Sequence, residues 1–181
     1  MTTDSLFDVS QEIVLITGSS GQLGGEYAKI FLERGANVIG LDVRPSADSD
    51  SLSARYPERY LFCASDVTVK ASLQRALIKI TSKFGTPTVL INNAAIDSPP
   101  SAPPEETGPF EDYPEASWDK VIDVNLKGVH LCCQVFGAAM AKAKKGSIVN
   151  ISSIYGVVSP DQNLYAYRRN RGEVFYKPVA Y

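Results

Sequence analysis

IVLITGSSGQLG, residues 13–24 of the chain, is an apolar segment that runs directly into a glycine-rich turn. The first four residues are apolar and three of them are β-branched, which is typical of a buried parallel strand. Leu23, Tyr27, Ile30 and Phe31 follow at helical spacing before a glycine at position 35. A strand, a glycine-rich turn and a helix in this order aim backbone N–H groups at a pyrophosphate, so the segment predicts dinucleotide binding.

A second apolar segment, residues 37–41, ends at an acidic residue, Asp42. A carboxylate at the end of this strand can accept hydrogen bonds from both ribose hydroxyls of an adenosine. It would also repel a phosphate on the 2′-oxygen, so Asp42 predicts that NAD(H) is preferred over NADP(H). Arg44 is the nearby side chain that could instead pair with such a phosphate.

The composition is that of a globular enzyme-like chain of 181 residues, with 44% hydrophobic and 21% charged residues. We expect one domain over residues 1–181. The net charge of −2 gives no reason to expect nucleic acid or an anionic membrane as a partner. Residues 1–4 lack the features of a signal peptide, and no segment approaches the roughly 18 apolar residues of a membrane span. We therefore expect a cytoplasmic protein.

The three cysteines, Cys63, Cys132 and Cys133, lie in apolar segments without metal-ligand spacing. We interpret them as buried small hydrophobic residues and expect no metal.

Strand-like and helix-like segments alternate along the rest of the chain. We predict strands at 60–64, 89–91 and 147–151, a helix from 69 to about 84 capped by Thr68, a helix from about 115 to 143, and polar loops at 44–59 and 97–114. This alternation predicts an α/β fold with a parallel sheet.

In this order the motifs resemble those of the short-chain dehydrogenase/reductase family, in its classical branch. The resemblance implies a Rossmann-type doubly wound sheet with strand order 3-2-1-4-5. It also implies an NAD(P)-dependent oxidoreductase that interconverts a small-molecule alcohol and a ketone or aldehyde. The cofactor-binding residues that it implies are Thr17, Gly18, Ser20, Gly21, Gln22, Leu23, Gly24, Asp42, Asp66, Val67, Asn93, Ala94 and Ala95.

The same resemblance implies two active-site residues in the second half of the chain. Asn125, in the sequence VNL, resembles the helix asparagine that anchors a water molecule. Ser153 follows three residues after Asn150 in NISS, and resembles the catalytic serine that holds the substrate oxygen.

One departure from the family pattern lies in the turn, where Gln22 fills the usual position of the middle glycine. The spacing with Gly21 is more typical of the family's extended branch, which acts largely on nucleotide sugars. That branch remains an alternative.

The second departure concerns the catalytic tyrosine, because no Tyr-x-x-x-Lys occurs after Ser153. Tyr165 has nearly the usual spacing, but Arg169 takes the lysine position. Tyr181 ends the sequence PVAY, which resembles the approach to the family's tyrosine. We favour Tyr181, with the chain truncated at this residue so that the lysine and the C-terminal strands would belong to a longer protein.

On that interpretation, residues 159–177 are an insertion over the active site. Its arginines, Arg168, Arg169 and Arg171, either face the substrate or belong to a solvated loop. A long polar loop favours a polyol or sugar-like substrate. The apolar helix around residues 121–140 favours a homodimer or homotetramer of the longer protein. A non-catalytic nucleotide-binding fragment is the alternative function.

Overall fold

The computed structural model describes residues 7–97 and 102–177, which belong to two compact units. The first unit comprises Met1–Ala94 and Gly128–Ile151, and the second comprises Ala95–Lys127 and Ser152–Tyr181. That residues 1–181 form one domain stays a prediction.

The first unit contains a sheet of five parallel strands in the order β3-β2-β1-β4-β5. The strands are β1 (Ile13–Thr17), β2 (Asn37–Asp42), β3 (Tyr60–Ala64), β4 (Val89–Asn92) and β5 (Ser147–Asn150). The predicted α/β fold, of Rossmann type with this strand order, is confirmed.

The core of this unit forms where helices pack on the central strands. Val14 and Ile16 of β1 are fully buried, and they belong to one cluster with Ala28 and Leu32 of helix α1 (Gln22–Glu33). Continuous burial along β1 explains why its sequence is an unbroken apolar run. The glycine turn therefore follows directly on a strand that is held in place by the core.

Helix α3 (Lys70–Phe84) lies where the apolar spacing predicted it, with Leu73, Ala76 and Ile80 buried. Its predicted cap was wrong. Val69 is the residue before the first turn, and the Thr68 hydroxyl donates to Asp66 Oδ1 over 2.7 Å instead.

The segment predicted as a polar loop after β2 contains a helix, α2 (Ala47–Arg55), so that prediction was wrong. Ser46 and Ser49 cap its first turn reciprocally, each side chain accepting from the other's backbone N–H. Acidic residues in its first turn and Arg55 in its last turn suit the helix dipole.

The helix predicted from about 115 to 143 is present as a succession of helical segments. α4 (Glu115–Ile122) belongs to the second unit, whereas α5 (Val129–Cys132) and α6 (Ala138–Ala143) belong to the first. Wider π-helical turns, at Asp123–Gly128 and Cys133–Gly137, separate them. None of the helices in the described ranges is long and apolar enough to cross a membrane.

The second unit consists of α4, short 3₁₀ turns and helix α7 (Ala166–Arg169). Phe175 is its large buried side chain, with 2% exposed. The backbone N–H of Tyr176 donates to the carbonyl of Thr107, and Lys177 forms an ion pair with Asp97. These contacts join residues 175–177 to the segment that follows β4.

Strand β5 pairs only with β4 among the described strands, and its apolar residues are exposed. Ile148 and Val149 are 41% and 44% exposed, and Ile151 is 43% exposed. Parallel strands are normally covered on both faces, and an unpaired apolar edge favours association with another chain.

We predict that Val149→Lys reduces self-association of the 181-residue chain, because a lysine on a strand edge opposes edge-to-edge pairing. Light scattering after size-exclusion chromatography, over a range of concentrations, measures the effect. Ile78→Lys is the matched control, since it makes the same change on the surface of α3, where Ile78 is 72% exposed. Equal effects of both variants would attribute the change to net charge and contradict the role of the edge.

A charged cluster joins the segments that precede three strands, β1, β4 and β5. Thr88 donates its hydroxyl to Glu12 and accepts from the Ile13 backbone N–H over 2.9 Å, and Lys145 pairs with Glu12 at 3.1 Å. The hydrogen bond from Thr88 is the largest cause that lowers the pKa of Glu12, and Lys145 acts in the same direction. The lowered pKa means that this contribution to stability is present above the unfolded-state pKa and is lost as the pH falls through the folded-state pKa.

We predict that Glu12→Gln lowers the free energy of unfolding at pH 7 by about 1 kcal/mol, since solvent screens a partly exposed pair. The difference from the wild type should shrink as the pH falls below the reference value of 4.5. Urea unfolding at pH 7 and at about pH 4 measures it. Glu58→Gln is the control, because Glu58 is exposed, and it should show neither effect. A destabilisation by Glu12→Gln that grows at low pH would contradict the stabilising role of the Glu12 carboxylate.

Candidate cofactor and active site

The turn after β1 has a conformation that requires glycine at two positions. Gly18 has a φ of 68°, and a side chain there would place its Cβ 2.8 Å from the Cα of Ala94. A Cβ on Gly24 would lie 2.3 Å from the carbonyl oxygen of Gly18. The start of α1 is therefore packed directly against the turn.

Helix α1 presents an open N-terminus at this turn. It begins at Gln22, and no side chain of the described residues caps it at Gly21. Gly21, Gln22 and Leu23 are exposed. Uncapped N–H groups at a helix N-terminus can form an anion site, and these three residues, predicted to bind the cofactor, lie at this N-terminus.

The end of β4 is tied to the same turn by side-chain hydrogen bonds. The buried hydroxyl of Thr17 accepts from the backbone N–H groups of Asn93 and Ala94, both over 3.0 Å. The Asn93 amide donates to the carbonyls of Thr17 and Gly18 over 3.0 and 3.3 Å. Thr17 and Asn93, predicted as cofactor contacts, thus use their side chains to hold the turn itself.

Asp42 lies beside the glycine turn with both carboxylate oxygens held by backbone N–H groups. Val43 donates to Oδ1 over 2.7 Å and Ser20 donates to Oδ2 over 3.0 Å. The Ser20 hydroxyl donates to the carbonyl of Arg44 over 2.7 Å. A carboxylate oxygen has further lone pairs, so Asp42 can still accept from a ribose.

Asp66 and Val67 follow β3, whose last residue pairs with Asp42 in the sheet. The Asp66 carboxylate accepts from the backbone N–H and the hydroxyl of Thr68, and Val67 is buried. The Ser65 N–H donates to the carbonyl of Asp42 over 2.8 Å. Two predicted cofactor-binding residues, Asp66 and Val67, therefore lie next to the predicted ribose acid.

Beneath the turn lie two buried hydroxyl groups whose close approach was not predicted from the sequence. Tyr60 and Ser19 point their hydroxyl oxygens at Gly40, where an added Cβ would lie 2.4 and 2.7 Å from them. Neither oxygen has a hydrogen-bond partner of good geometry within the described residues. Burial raises the pKa of Tyr60 to about 12, so the phenol stays protonated at neutral pH. Gly40, in the middle of a strand, was the only sequence signal for this close approach.

In the second unit, Asn125 holds the backbone that follows β4. Its side-chain oxygen accepts from the Ile96 N–H and its amide donates to the Ile96 carbonyl, both over 2.9 Å. Asn125 lies in the π-helical turn Asp123–Gly128. Ala95, the one predicted cofactor residue in this unit, directly precedes Ile96 and is exposed.

Ser153 is exposed and begins a short 3₁₀ turn, where its hydroxyl accepts from the N–H of Tyr155 over 3.1 Å. The hydroxyl remains able to donate a hydrogen bond, which is what a substrate oxygen needs. Tyr181 lies outside the described residues, so its position as the proton donor stays a prediction.

Tyr165 is half-buried in the second unit, and its ring packs at a tilt of 54° against Phe175 with ring centroids 5.0 Å apart. Burial raises its pKa, and the neighbouring Tyr155 acts in the same direction. Arg169, at the position of the family's lysine, donates to the carbonyl of Gln162 over 2.9 Å and lies over the ring of Tyr176. The surroundings of Tyr165 thus oppose the ionisation that an acid–base tyrosine needs.

The other two arginines of this segment also lie over aromatic rings. Arg168 lies 4.1 Å from the ring centre of Phe175 and pairs with Glu173, and Arg171 lies 5.7 Å from that of Tyr167. All three arginines of this segment thus contact aromatic rings of residues 162–177.

The first unit has the architecture and turn of a Rossmann-type dinucleotide-binding fold. The family model described as short chain dehydrogenase matches residues 12–168. The chain therefore belongs to the short-chain dehydrogenase family.

Individual relatives agree with this assignment. An NAD-dependent glycerol dehydrogenase of Listeria innocua is 29% identical over 161 residues, which is 89% of this chain and 60% of that protein. A 3-oxoacyl-acyl-carrier-protein reductase of Chlamydia muridarum is 36% identical over 84% of this chain and 60% of its own length. The crystal structure of a short-chain dehydrogenase from Streptomyces avermitilis has a TM-score of 0.72 at 28% identity, covering 82% of this chain and 51% of that one. The chain thus spans three-fifths or less of the length of these proteins.

We predict that Gly24→Ala destabilises the protein strongly, by more than about 2 kcal/mol, because its Cβ would overlap the backbone of Gly18. Gly25→Ala is the matched control on the same helix, since its Cβ would lie 3.7 Å from the nearest atom, the carbonyl oxygen of Ser19. That variant should be neutral or stabilising by up to about 1 kcal/mol. Thermal unfolding measures both. Similar unfolding temperatures for the two variants would contradict the close approach.

Proposed function

We propose that this chain forms the cofactor-binding part of an NAD(H)-dependent oxidoreductase that interconverts an alcohol and a ketone or aldehyde. One observation carries the proposal: the Asp42 carboxylate is held by two backbone N–H groups directly beside an uncapped, glycine-rich helix N-terminus. A dinucleotide needs those two features next to each other, one for ribose hydroxyls and one for the pyrophosphate.

The residues of the first unit fit such a cofactor. The first turn of α1 would hold the pyrophosphate, Asp42 the adenosine ribose, and Asp66 with Val67 the adenine. Gly18 and Gly24 leave only backbone at the turn, so a ligand can approach it closely. Asp42 would repel a 2′-phosphate, which supports NAD(H), as does the relative described as NAD-dependent.

When bound, the nicotinamide supplies or accepts the hydride. The chain's own residues would place the substrate oxygen and move one proton. Ser153 would donate a hydrogen bond to that oxygen, and Tyr181 would give the proton to a carbonyl or take it from an alcohol. Asn125 would position residues 95–97 through its two hydrogen bonds to Ile96.

A polyol or sugar-like alcohol is the substrate class that we propose, supported by the polar loop after β4 and by the glycerol dehydrogenase relative. We also propose that the longer protein is cytoplasmic and assembles as a homodimer or homotetramer through the helical segments of residues 121–140. The exposure of Leu126, at 64%, supports an apolar contact there.

A nucleotide-binding protein without turnover is the second candidate. All predicted cofactor residues except Ala95 lie in the first unit, whereas the predicted catalytic residues Asn125 and Ser153 lie in the second. Nucleotide binding without reduction of any carbonyl would favour this candidate.

The decisive experiment uses a chain that continues beyond residue 181 and has lysine at the fourth position after Tyr181. We predict that Tyr181→Phe lowers kcat for NADH-dependent reduction of a polyol-derived ketone by at least about 100-fold, because the proton donor is lost. Ser153→Ala should also lower kcat strongly, since its hydrogen bond strengthens as charge develops on the oxygen.

Tyr165→Phe is the matched control, with the same atom removed from the second unit, and kcat should stay within several-fold of the wild type. An inactive Tyr165→Phe variant beside an active Tyr181→Phe variant would reverse the assignment and make Arg169 the substitute for lysine.

A further inference from the structure

Ser20 connects the glycine turn to the segment that follows β2 through two separate hydrogen bonds. Its backbone N–H donates to Asp42 Oδ2 over 3.0 Å, and its hydroxyl donates to the carbonyl of Arg44 over 2.7 Å. The Val43 N–H holds the other oxygen of Asp42 over 2.7 Å. Residues 42–44 are therefore attached to the turn at both ends.

This attachment restrains the two charged residues, Asp42 and Arg44, that would decide whether a 2′-phosphate can bind. A phosphate at that position needs Asp42 to move away, because like charges repel at close range. It also needs a cation to approach, and Arg44 is the cation in this segment. One bond of Ser20 holds the Asp42 carboxylate itself, and the other fixes the Arg44 backbone from which the guanidinium would have to reach the phosphate. Both bonds therefore oppose a rearrangement of residues 42–44.

We propose that the Ser20 hydroxyl is a specificity-determining group that holds residues 42–44 in the arrangement for a free 2′-hydroxyl and against a 2′-phosphate. The proposal rests on the proposed NAD(H) function. It gives Ser20 a positioning role, exerted through Arg44 and Asp42, in place of the cofactor contact implied by the family resemblance.

Alanine at position 20 removes only the bond to Arg44, because the backbone N–H to Asp42 remains. In the Ser20→Ala variant, we expect the dissociation constant for NADPH, divided by that for NADH, to fall about five- to tenfold. A change of this size corresponds to the free energy of one hydrogen bond. NADPH should bind more tightly than to the wild type. The ratio for adenosine 2′,5′-bisphosphate and AMP should fall in parallel, since these ligands contain only the adenosine end.

The experiment uses the 181-residue chain and titrates NADH and NADPH by nicotinamide fluorescence, with the two adenosine ligands as competitors. Ser53→Ala is the matched control: its hydroxyl donates to the Ser49 carbonyl over 2.8 Å within α2. This variant should keep the wild-type ratio. Ser20→Thr retains a hydroxyl and should also keep it. Adding Arg44→Ala to Ser20→Ala should abolish the gain in NADPH binding.

The outcomes separate this inference from the proposed function. A wild type that binds NADH, with an unchanged ratio in Ser20→Ala, overturns the inference alone. Equal weakening of both cofactors by Ser20→Ala also overturns it, because that result assigns the hydroxyl to direct cofactor contact or to folding. A wild type that binds neither cofactor overturns the proposed function and the inference with it.

Discussion

The close approach of backbone to backbone at the glycine turn is the constraint on which the rest of the cofactor site depends. The Gly18 N–H donates to the carbonyl of Leu41 over 2.8 Å, while its Cα position leaves no room for a side chain beside Ala94. This packing brings the ends of β2 and β4 onto one turn. Asp42 and Asn93 then reach the turn through short contacts, which require little ordering of long side chains.

Strands β1 to β4 and the two longest helices of the first unit could be predicted because their apolar residues coincide with buried positions. Strand β5 was predicted from the same kind of apolar sequence, although its residues are exposed. Helix α2 could not be predicted in that way, since Ser49 and Leu52 are its only buried residues. Its start depends on reciprocal capping by Ser46 and Ser49, and a serine stands where a capping box usually has glutamate or glutamine. The pattern that marks a helix N-terminus was therefore present only in a weaker form.

The site residues were predictable by their type at strand ends, but the directions of their side chains were not. Ser20 and Asp42 are 22 residues apart, and Asn93 and Thr17 are 76 apart, so local sequence contains no information about these hydrogen bonds. Tyr60 reaches Gly40 because the register places it opposite Val38, two residues earlier on β2. A sheet register of this kind follows from the assembled strands and not from either segment alone.

The cations of residues 162–177 bear on which tyrosine can transfer a proton. Arg168 and Arg171 lie over ring faces, Arg169 bonds the Gln162 carbonyl, and Lys177 pairs with Asp97. A cation lowers the pKa of a phenol most effectively when it lies close to the oxygen. The contacts of the three arginines lie within the segment, that of Lys177 is to a carboxylate outside it, and burial raises the pKa of Tyr165. In the family pattern the cation is a lysine four positions after the tyrosine, and the hypothesis of Tyr181 as proton donor therefore requires a lysine at that position of a longer protein.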